Sequence, residues 1–224
     1  MTRRAALLPL LALAAACQQP AQAGERAVPA PPAKLQSAET GKLRTAIFAG
    51  GCFWGVEGVF SHMKGVTSAV SGYHGGTRAS ASYDKVSAGD TGHAEAVRVT
   101  YDPARVRYDE LLRVFFSVIA DPTTRDRQGP DVGSQYRSAL VPLDAEQRKV
   151  AAAYLAQLGK SGLWGRPIVT RIEAWRGFHP AEAEHQDFMA KNPRHPYILR
   201  WDAPKVAALK ALYPAFYKPG FTRN

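Results

Sequence analysis

The chain has 224 residues, 46% hydrophobic and 21% charged, the balance of a globular protein long enough to bury one substantial core. Its formal net charge of +10 comes from scattered Lys and Arg. With no basic run and no nucleic-acid motif, this argues against a nucleic-acid binder and for a solvated basic surface around one catalytic domain with appendages.

The chain opens on Arg3 and Arg4 followed by the apolar stretch Ala5 to Ala16, which is too short to span a bilayer as a mature helix and reads as an export signal. Two processing sites compete. Ala14-Ala15-Ala16-Cys17 looks like a bacterial lipoprotein site, with Ala14 where Leu is commoner, and Ala21-Gln22-Ala23 fits ordinary small-x-small cleavage. Thr2-Arg3-Arg4 hints at twin-arginine export, but the rest of that motif is missing. Removing residues 1–23 takes away two arginines and no acid, so the basic character belongs to the mature domain.

From Gln18 to about Gly41 the chain is rich in Ala, Pro and Gln, with few large apolar side chains, and residues 24–41 are expected to form an extended, mobile linker. The texture changes at Leu43, so the catalytic domain is expected over residues 42–213, followed by a tail at 214–224. Thr45 to Ala49 reads as a buried strand, Gly50-Gly51 as a tight turn and Phe53 to Ser61 as a helix, which puts Cys52 at a helix N-terminus. Val66 to Tyr73 and Ala94 to Tyr101 read as strands, the second stopped by Asp102-Pro103, with a glycine-rich loop from Gly72 to Gly92 between them. Tyr108, Leu111, Leu112, Phe115 and Ile119 recur at helical spacing up to Asp121-Pro122. Asp144 and Gln147 form a capping-box pattern for a helix to about Leu158, ended by Gly159 and Gly162, and Ile168 to Ala174 reads as a further strand. Elements mixed in this order predict an α+β fold: a two-layer sandwich of a mixed β-sheet and packed helices with a ferredoxin-like core.

A lone cysteine is more often a small buried hydrophobe than a nucleophile. Cys52 differs in context. A Gly-Gly turn leads it into a helix whose free N–H groups and dipole favour a thiolate, and the aromatic residues Phe53 and Trp54 follow it. Gly51-Cys52-Phe53-Trp54-Gly55 resembles the nucleophile motif of the methionine sulfoxide reductase A family. The resemblance continues in family order through Gly72-Tyr73-His74-Gly75-Gly76, Tyr83, Thr91-Gly92-His93-Ala94-Glu95, Tyr101-Asp102-Pro103 and Gln128-Gly129-Pro130-Asp131. It then takes in Gln135-Tyr136-Arg137-Ser138, His185-Gln186 and Lys191-Asn192-Pro193, and so spans nearly the whole domain. One departure is Ala120 before Asp121-Pro122, where many members carry His; it leaves the residues assigned below untouched.

The resemblance implies a peptide-methionine (S)-S-oxide reductase with no bound cofactor and no metal. Cys52 would attack the sulfoxide sulfur, Glu95 would donate to the oxygen, and Tyr83 and Tyr136 would add phenolic donors. Phe53 and Trp54 would wall the substrate methyl, and Asp131 would help bind substrate. Taken singly, Glu95 reads as a solvated carboxylate, each tyrosine as packing and Asp131 as a turn cap; their joint placement raises them. For Glu95 to act as an acid near neutral pH it must be buried, and it then titrates together with Cys52.

Relatives often close a disulfide with C-terminal cysteines, whereas the second cysteine here is Cys17. An external thiol, from a thioredoxin-like protein or a small molecule, is therefore expected to reduce a Cys52 sulfenic acid. The expected protein is a monomer, periplasmic or lipid-anchored facing the periplasm, acting on oxidised methionine free or in proteins. Two rivals remain at this stage: a metal site using Cys52 with His74, His93 or His185, and a non-enzymatic binding module on the same fold.

Overall fold

The computed structural model describes residues 27–223. The export signal, both processing sites and Cys17 lie outside them. The elements run β1 (Arg44–Gly50), α1 (Phe53–Ser61), β2 (Val66–His74), α2 (Tyr83–Ser87), β3 (Ala94–Tyr101) and α3 (Tyr108–Val114), with a π-helical turn continuing α3 over Phe115–Ile119. Then come β4 (Arg127–Gln128), β5 (Asp131–Val132), β6 (Ser138–Val141), α4 (Ala145–Ser161), β7 (Arg171–Ile172), β8 (Phe178–Pro180) and α5 (Phe188–Lys191). A second π-helical turn, Ile198–Asp202, leads into α6 (Ala203–Leu212).

Among the described residues one six-stranded sheet forms in the order β7-β6-β1-β3-β2-β8, and β4 and β5 make a separate hairpin. Every neighbouring pair from β6 to β8 is antiparallel, while β7 runs parallel to β6, so the sheet is mixed. β1 crosses through α1 to β2, and β3 returns between them, which is the split βαβ arrangement of a ferredoxin-like core. The α+β layered architecture is as expected.

Why β1 reads as an unbroken apolar run follows from its place in the middle of the sheet. Ala46 and Phe48 join the main core, where Phe48 lies 4.8 Å from Phe60 and 5.4 Å from Phe115 between ring centroids. Ile47 and Ala49 face the other side with Ala94, Ala96, Ala139, Val141 and Phe178. At α4, Asp144 accepts from Gln147 N (2.8 Å), and the Gln147 side chain accepts from Leu143 N (3.0 Å), the reciprocal cap that the pattern implied displaced by one residue. Gly162, at φ 69°, closes the helix.

The structure departs from the sequence reading in several places. The stretch from Gly72 to Gly92 is not all loop, since β2 runs on to His74 and Tyr83 opens the five-residue α2, too short to show a period. The expected strand Ile168 to Ala174 shrinks to β7, because pairing with β6 covers only Ala139↔Arg171 and Leu140↔Ile172.

Residues 27–41 are extended but are not a free linker. Ala30 and Ala33 are buried, and the backbone is tied down by side chains of the domain. Ser117 Oγ accepts from Ala30 N (3.0 Å), Asp109 from Ser37 N (3.0 Å) and Gln157 from Lys34 N (2.8 Å), while Tyr101 OH donates to Glu39 (2.7 Å). Small Ala and Pro side chains let the chain lie flat, so polar partners replace the large apolar ones whose absence suggested mobility. The expected tail is strapped in the same way, with Lys218 N donating to His62 O (2.8 Å) and Thr222 N to Ser61 O (3.0 Å).

A protein beginning at Lys42 should therefore melt below one beginning at Ala27. Each buried hydrogen bond contributes roughly 1 kcal/mol. Loss of about 3 kcal/mol should lower the melting temperature by about 6–12 °C in a domain of this size. Equal melting of the two proteins by calorimetry would show that the strap adds nothing.

Candidate active site

The site begins at the turn from β1 into α1. Gly51 has φ 91°, and a Cβ there would lie 2.6 Å from Gln128 Cβ, so only glycine fits. Gln128 is itself fixed, accepting from Asp121 N (2.9 Å) and donating to Asp121 O (3.0 Å). Ala120, the departure noted above, is buried and packs close to Gly50. The turn delivers Cys52 as the N-cap of α1, where its side chain makes no cap hydrogen bond and the Trp54 backbone N–H nearby favours the thiolate.

The neighbouring Phe53 N–H donates to Glu95 Oε2 at 2.9 Å. That bond brings the carboxyl of β3 to the first turn of α1, one residue from the thiol. Glu95 is 2% exposed, and burial pushes its pKa from near 4.5 to about 8, with Asp131 and Asp202 adding to the rise against the Phe53 bond. Cys52 is pushed well above the usual thiol range, first by burial and then by Glu95 and Asp202, against the smaller opposing effect of the Trp54 backbone N–H. The helix N-terminus therefore does not hold a resting thiolate, as the sequence suggested. Desolvation outweighs it, and near neutral pH the site holds a thiol and a neutral carboxylic acid.

The aromatic residues divide into a floor and a wall. Phe53 is fully buried, with ring centroids 5.8 Å from Tyr73, 6.4 Å from Tyr83 and 5.5 Å from His185. Trp54 is partly exposed, stacked on Phe188 at 3.7 Å, edge-on to Tyr197 at 5.9 Å, and donating from Nε1 to His185 Nδ1 at 3.3 Å. Burial lowers the pKa of His185, in keeping with a neutral ring that accepts this bond.

Tyr83, Tyr136 and Asp131 all lie within electrostatic reach of Glu95. Burial first, and then the Glu95 charge, raises both phenols, so both remain O–H donors. Tyr83 is seated by Glu182, which accepts from Tyr83 N (2.9 Å) and from Tyr73 OH (2.8 Å). Asp131, on the β4–β5 hairpin, accepts a hydrogen bond from Tyr197 OH.

All seven residues singled out in the sequence thus gather around one turn. Those the sequence reading passed over are Tyr73, Phe188, Tyr197 and Asp202, together with the contact role of His185. His185-Gln186 stood in the quoted motifs, and Tyr73 stood in Gly72-Tyr73-His74; Phe188, Tyr197 and Asp202 carried no local signal. His74 and His93, entertained as metal ligands, are hydrogen-bonded instead to Gly177 O (2.9 Å) and to Gly76 N (3.1 Å) and Thr77 O (2.9 Å). A separate cleft of about 420 Å³ beside Val28, Phe116, Ile119 and Trp164 contains none of the seven.

A buried thiol beside a neutral carboxylic acid, under phenolic donors and against an aromatic wall, is the equipment of a cysteine-dependent enzyme that hands a proton to its substrate. Residues 44–214 match the family model for peptide methionine sulfoxide reductase. Peptide methionine sulfoxide reductase MsrA 2 of Mesorhizobium japonicum is 56% identical over 173 residues, which are 77% of this chain and 89% of that protein. Peptide methionine sulfoxide reductase MsrA of Deinococcus radiodurans is 50% identical over 168 residues, 75% of this chain and 81% of that one. Reduced Mxr1 from Saccharomyces cerevisiae superposes with a TM-score of 0.61 at 34% identity, covering 72% of this chain and 92% of the yeast chain. The chain belongs to the methionine sulfoxide reductase A family.

The raised pKa of Glu95 has a consequence for stability. The folded protein keeps a proton that the unfolded chain releases near pH 4.5, so this group opposes folding increasingly as pH rises from about 4.5 to 8. Glu95→Gln removes that cost, on the order of a few kcal/mol. The variant should melt several degrees above the wild type at pH 8 and level with it at pH 4. An equal gain at both pH values in a thermal melt would contradict the buried-acid assignment.

Proposed function

We propose that this protein carries out thiol-dependent reduction of methionine S-sulfoxide, free or in proteins, and that it repairs oxidised exported proteins. The observation that carries the mechanism is the Phe53 N–H bond to Glu95, which puts an acid one residue away from the nucleophile.

In the proposed reaction the Cys52 sulfur attacks the sulfoxide sulfur while Glu95 donates its proton to the oxygen. Tyr83 and Tyr136 donate hydrogen bonds to that oxygen as its charge grows. The thiol proton passes to the emptied carboxylate, the oxygen ends on Cys52 as a sulfenic acid, and methionine leaves. The substrate methyl lies against Trp54 over the Phe53 floor, with Tyr197, hydrogen-bonded to Asp131, edge-on beside Trp54. One acid, one methyl wall and one attack direction make the site chiral, which supports strict preference for the S epimer.

Cys52 is the free cysteine among the described residues. An external thiol therefore attacks the sulfenic acid, releasing water and forming a mixed disulfide, and a second thiol resolves it to restore Cys52. We assign these thiols to a thioredoxin-like protein or a small molecule. The enzyme acts as a monomer exported to the periplasm, soluble after cleavage at Ala23 or anchored through Cys17.

Assays on separated sulfoxide epimers test the reading, and turnover of R alone would overturn it. Without reductant, protein lacking Cys17 should return about one methionine per enzyme and leave Cys52 reactive to dimedone. Methionine release with no trapped sulfenic acid would sink the mechanism. Glu95→Gln should slow the single-turnover step by about 10²- to 10⁴-fold while substrate binding holds. In the wild type that step should fall as pH rises through about 8, where Glu95 loses its proton. Trp54→Ala should lower kcat/KM roughly tenfold, about 1.4 kcal/mol, and leave Cys52 alkylation intact.

A further inference from the structure

We propose that Glu57 is a positioning residue for the methionine pocket: its carboxyl holds the turn at Asp187 so that His185 and Phe188 grip Trp54 from two sides. The inference rests on the reading of Trp54 as the pocket wall and names what sets that wall in place.

Glu57 lies on α1, one helical turn beyond Phe53, and is fully buried. Its Oε2 accepts from Ser71 Oγ (3.0 Å) on β2, and its Oε1 accepts from Asp187 N (3.1 Å). Burying a carboxyl is unfavourable, and burial raises this one to about 7. The chemistry described above does not use it, so its place in the core calls for another role.

That role is visible in what Asp187 holds. Asp187 is in the left-handed region at φ 53°, an uncommon conformation for a residue with a side chain, and it starts α5. The residue after it, Phe188, stacks flat on Trp54 at 3.7 Å and 8° between planes. Two residues before it, His185 accepts the Trp54 Nε1–H. The His185 ring also packs 4.2 Å from Tyr83, so the same turn touches the phenol side of the site.

The rest of the loop is held by polar bonds that converge on the same strand. Gln186 accepts from Ser71 N (3.0 Å) and donates to Ser71 O (2.9 Å), continuing the β2–β8 ladder beyond Pro180. Lys191 Nζ donates to Gln186 O (2.7 Å). Glu57 therefore joins the helix that carries the proposed nucleophile to the loop that carries the outer wall, through a bond to the backbone N–H of the strained residue Asp187.

The test uses Glu57→Met, which keeps the buried volume and removes the acceptor, and Glu57→Gln, whose amide can still accept from Asp187 N and donate to Ser71 Oγ. Two readouts are taken: kinetics with methionine S-sulfoxide, and the indole N–H signal of Trp54 in the substrate-free protein, assigned by its loss in Trp54→Phe. E57M is expected to raise KM about tenfold, with the saturated single-turnover rate within about threefold of the wild type, and to shift or broaden the Trp54 signal. E57Q should return both toward the wild type. If E57M does not fold, Glu57→Asp, which withdraws the acceptor by one methylene, carries the same expectation. A folded E57M or E57D with unchanged KM and an unchanged Trp54 signal overturns the proposal, as does a loss confined to the single-turnover rate. A wild type inactive on methionine sulfoxide would instead defeat the functional reading, and the indole signal would still decide whether the clamp exists.

Discussion

Glu95 is a carboxyl placed on β3, between β1 and β2, with almost no access to water, and the Phe53 N–H is a hydrogen bond it receives in exchange. One such bond does not restore what a carboxylate loses on leaving water, so the group keeps its proton up to about pH 8. Much else in the domain can be understood as what it takes to keep that acid dry and aimed. Tyr73 is its cross-strand partner in the β2–β3 register, Phe53 donates its backbone N–H to it from α1, and α1 can approach only because Gly51 lets the chain turn against Gln128.

The same dryness governs the thiol. A helix N-terminus and the Trp54 N–H near the sulfur favour the thiolate, but burial and the nearby carboxylates oppose it more strongly. The resting site therefore stores two protons, one on each partner, instead of an ion pair. In the proposed reaction the sulfoxide oxygen is the group that accepts one of them, and this ties thiolate formation to the presence of substrate. A nucleophile that stays protonated until then is also protected from stray oxidants.

Around this centre the wall is assembled from segments far apart in the chain. Trp54 comes from α1, His185 and Phe188 from the loop and helix before residue 192, Tyr197 from the turn before α6, and Asp131 from a two-residue strand. The positions of Cys52, Glu95, Tyr136 and Asp131 were legible because each sits in a short motif, and Tyr83 because it falls between two such motifs in one order. Phe188, Tyr197 and Asp202 were not legible. A single aromatic or acid in an irregular stretch has no period and no spacing, and its meaning comes from what it stacks on or faces.

The elements divide in the same way. β1, α1, β3, α3 and α4 could be read from local sequence, because buried strands show apolar runs, helices show their period, and Asp144 with Gln147 marks a cap. β8 could not, and only the short extent of β7 inside its expected strand was missed, since strands of two and three residues exist only where a neighbour offers a ladder to join. Residues 27–41 make the point most directly. Their composition correctly indicates a chain unable to form its own core, and so suggests freedom, yet Ser117, Asp109, Gln157 and Tyr101 supply partners for its polar groups. The amino-acid sequence alone determined the motifs, their order and the family to which they point. Tertiary structure decided the protonation of Cys52 and Glu95 and the shape of the wall, because desolvation and stacking depend on every neighbour that packs around a group and not on the residues beside it in the chain.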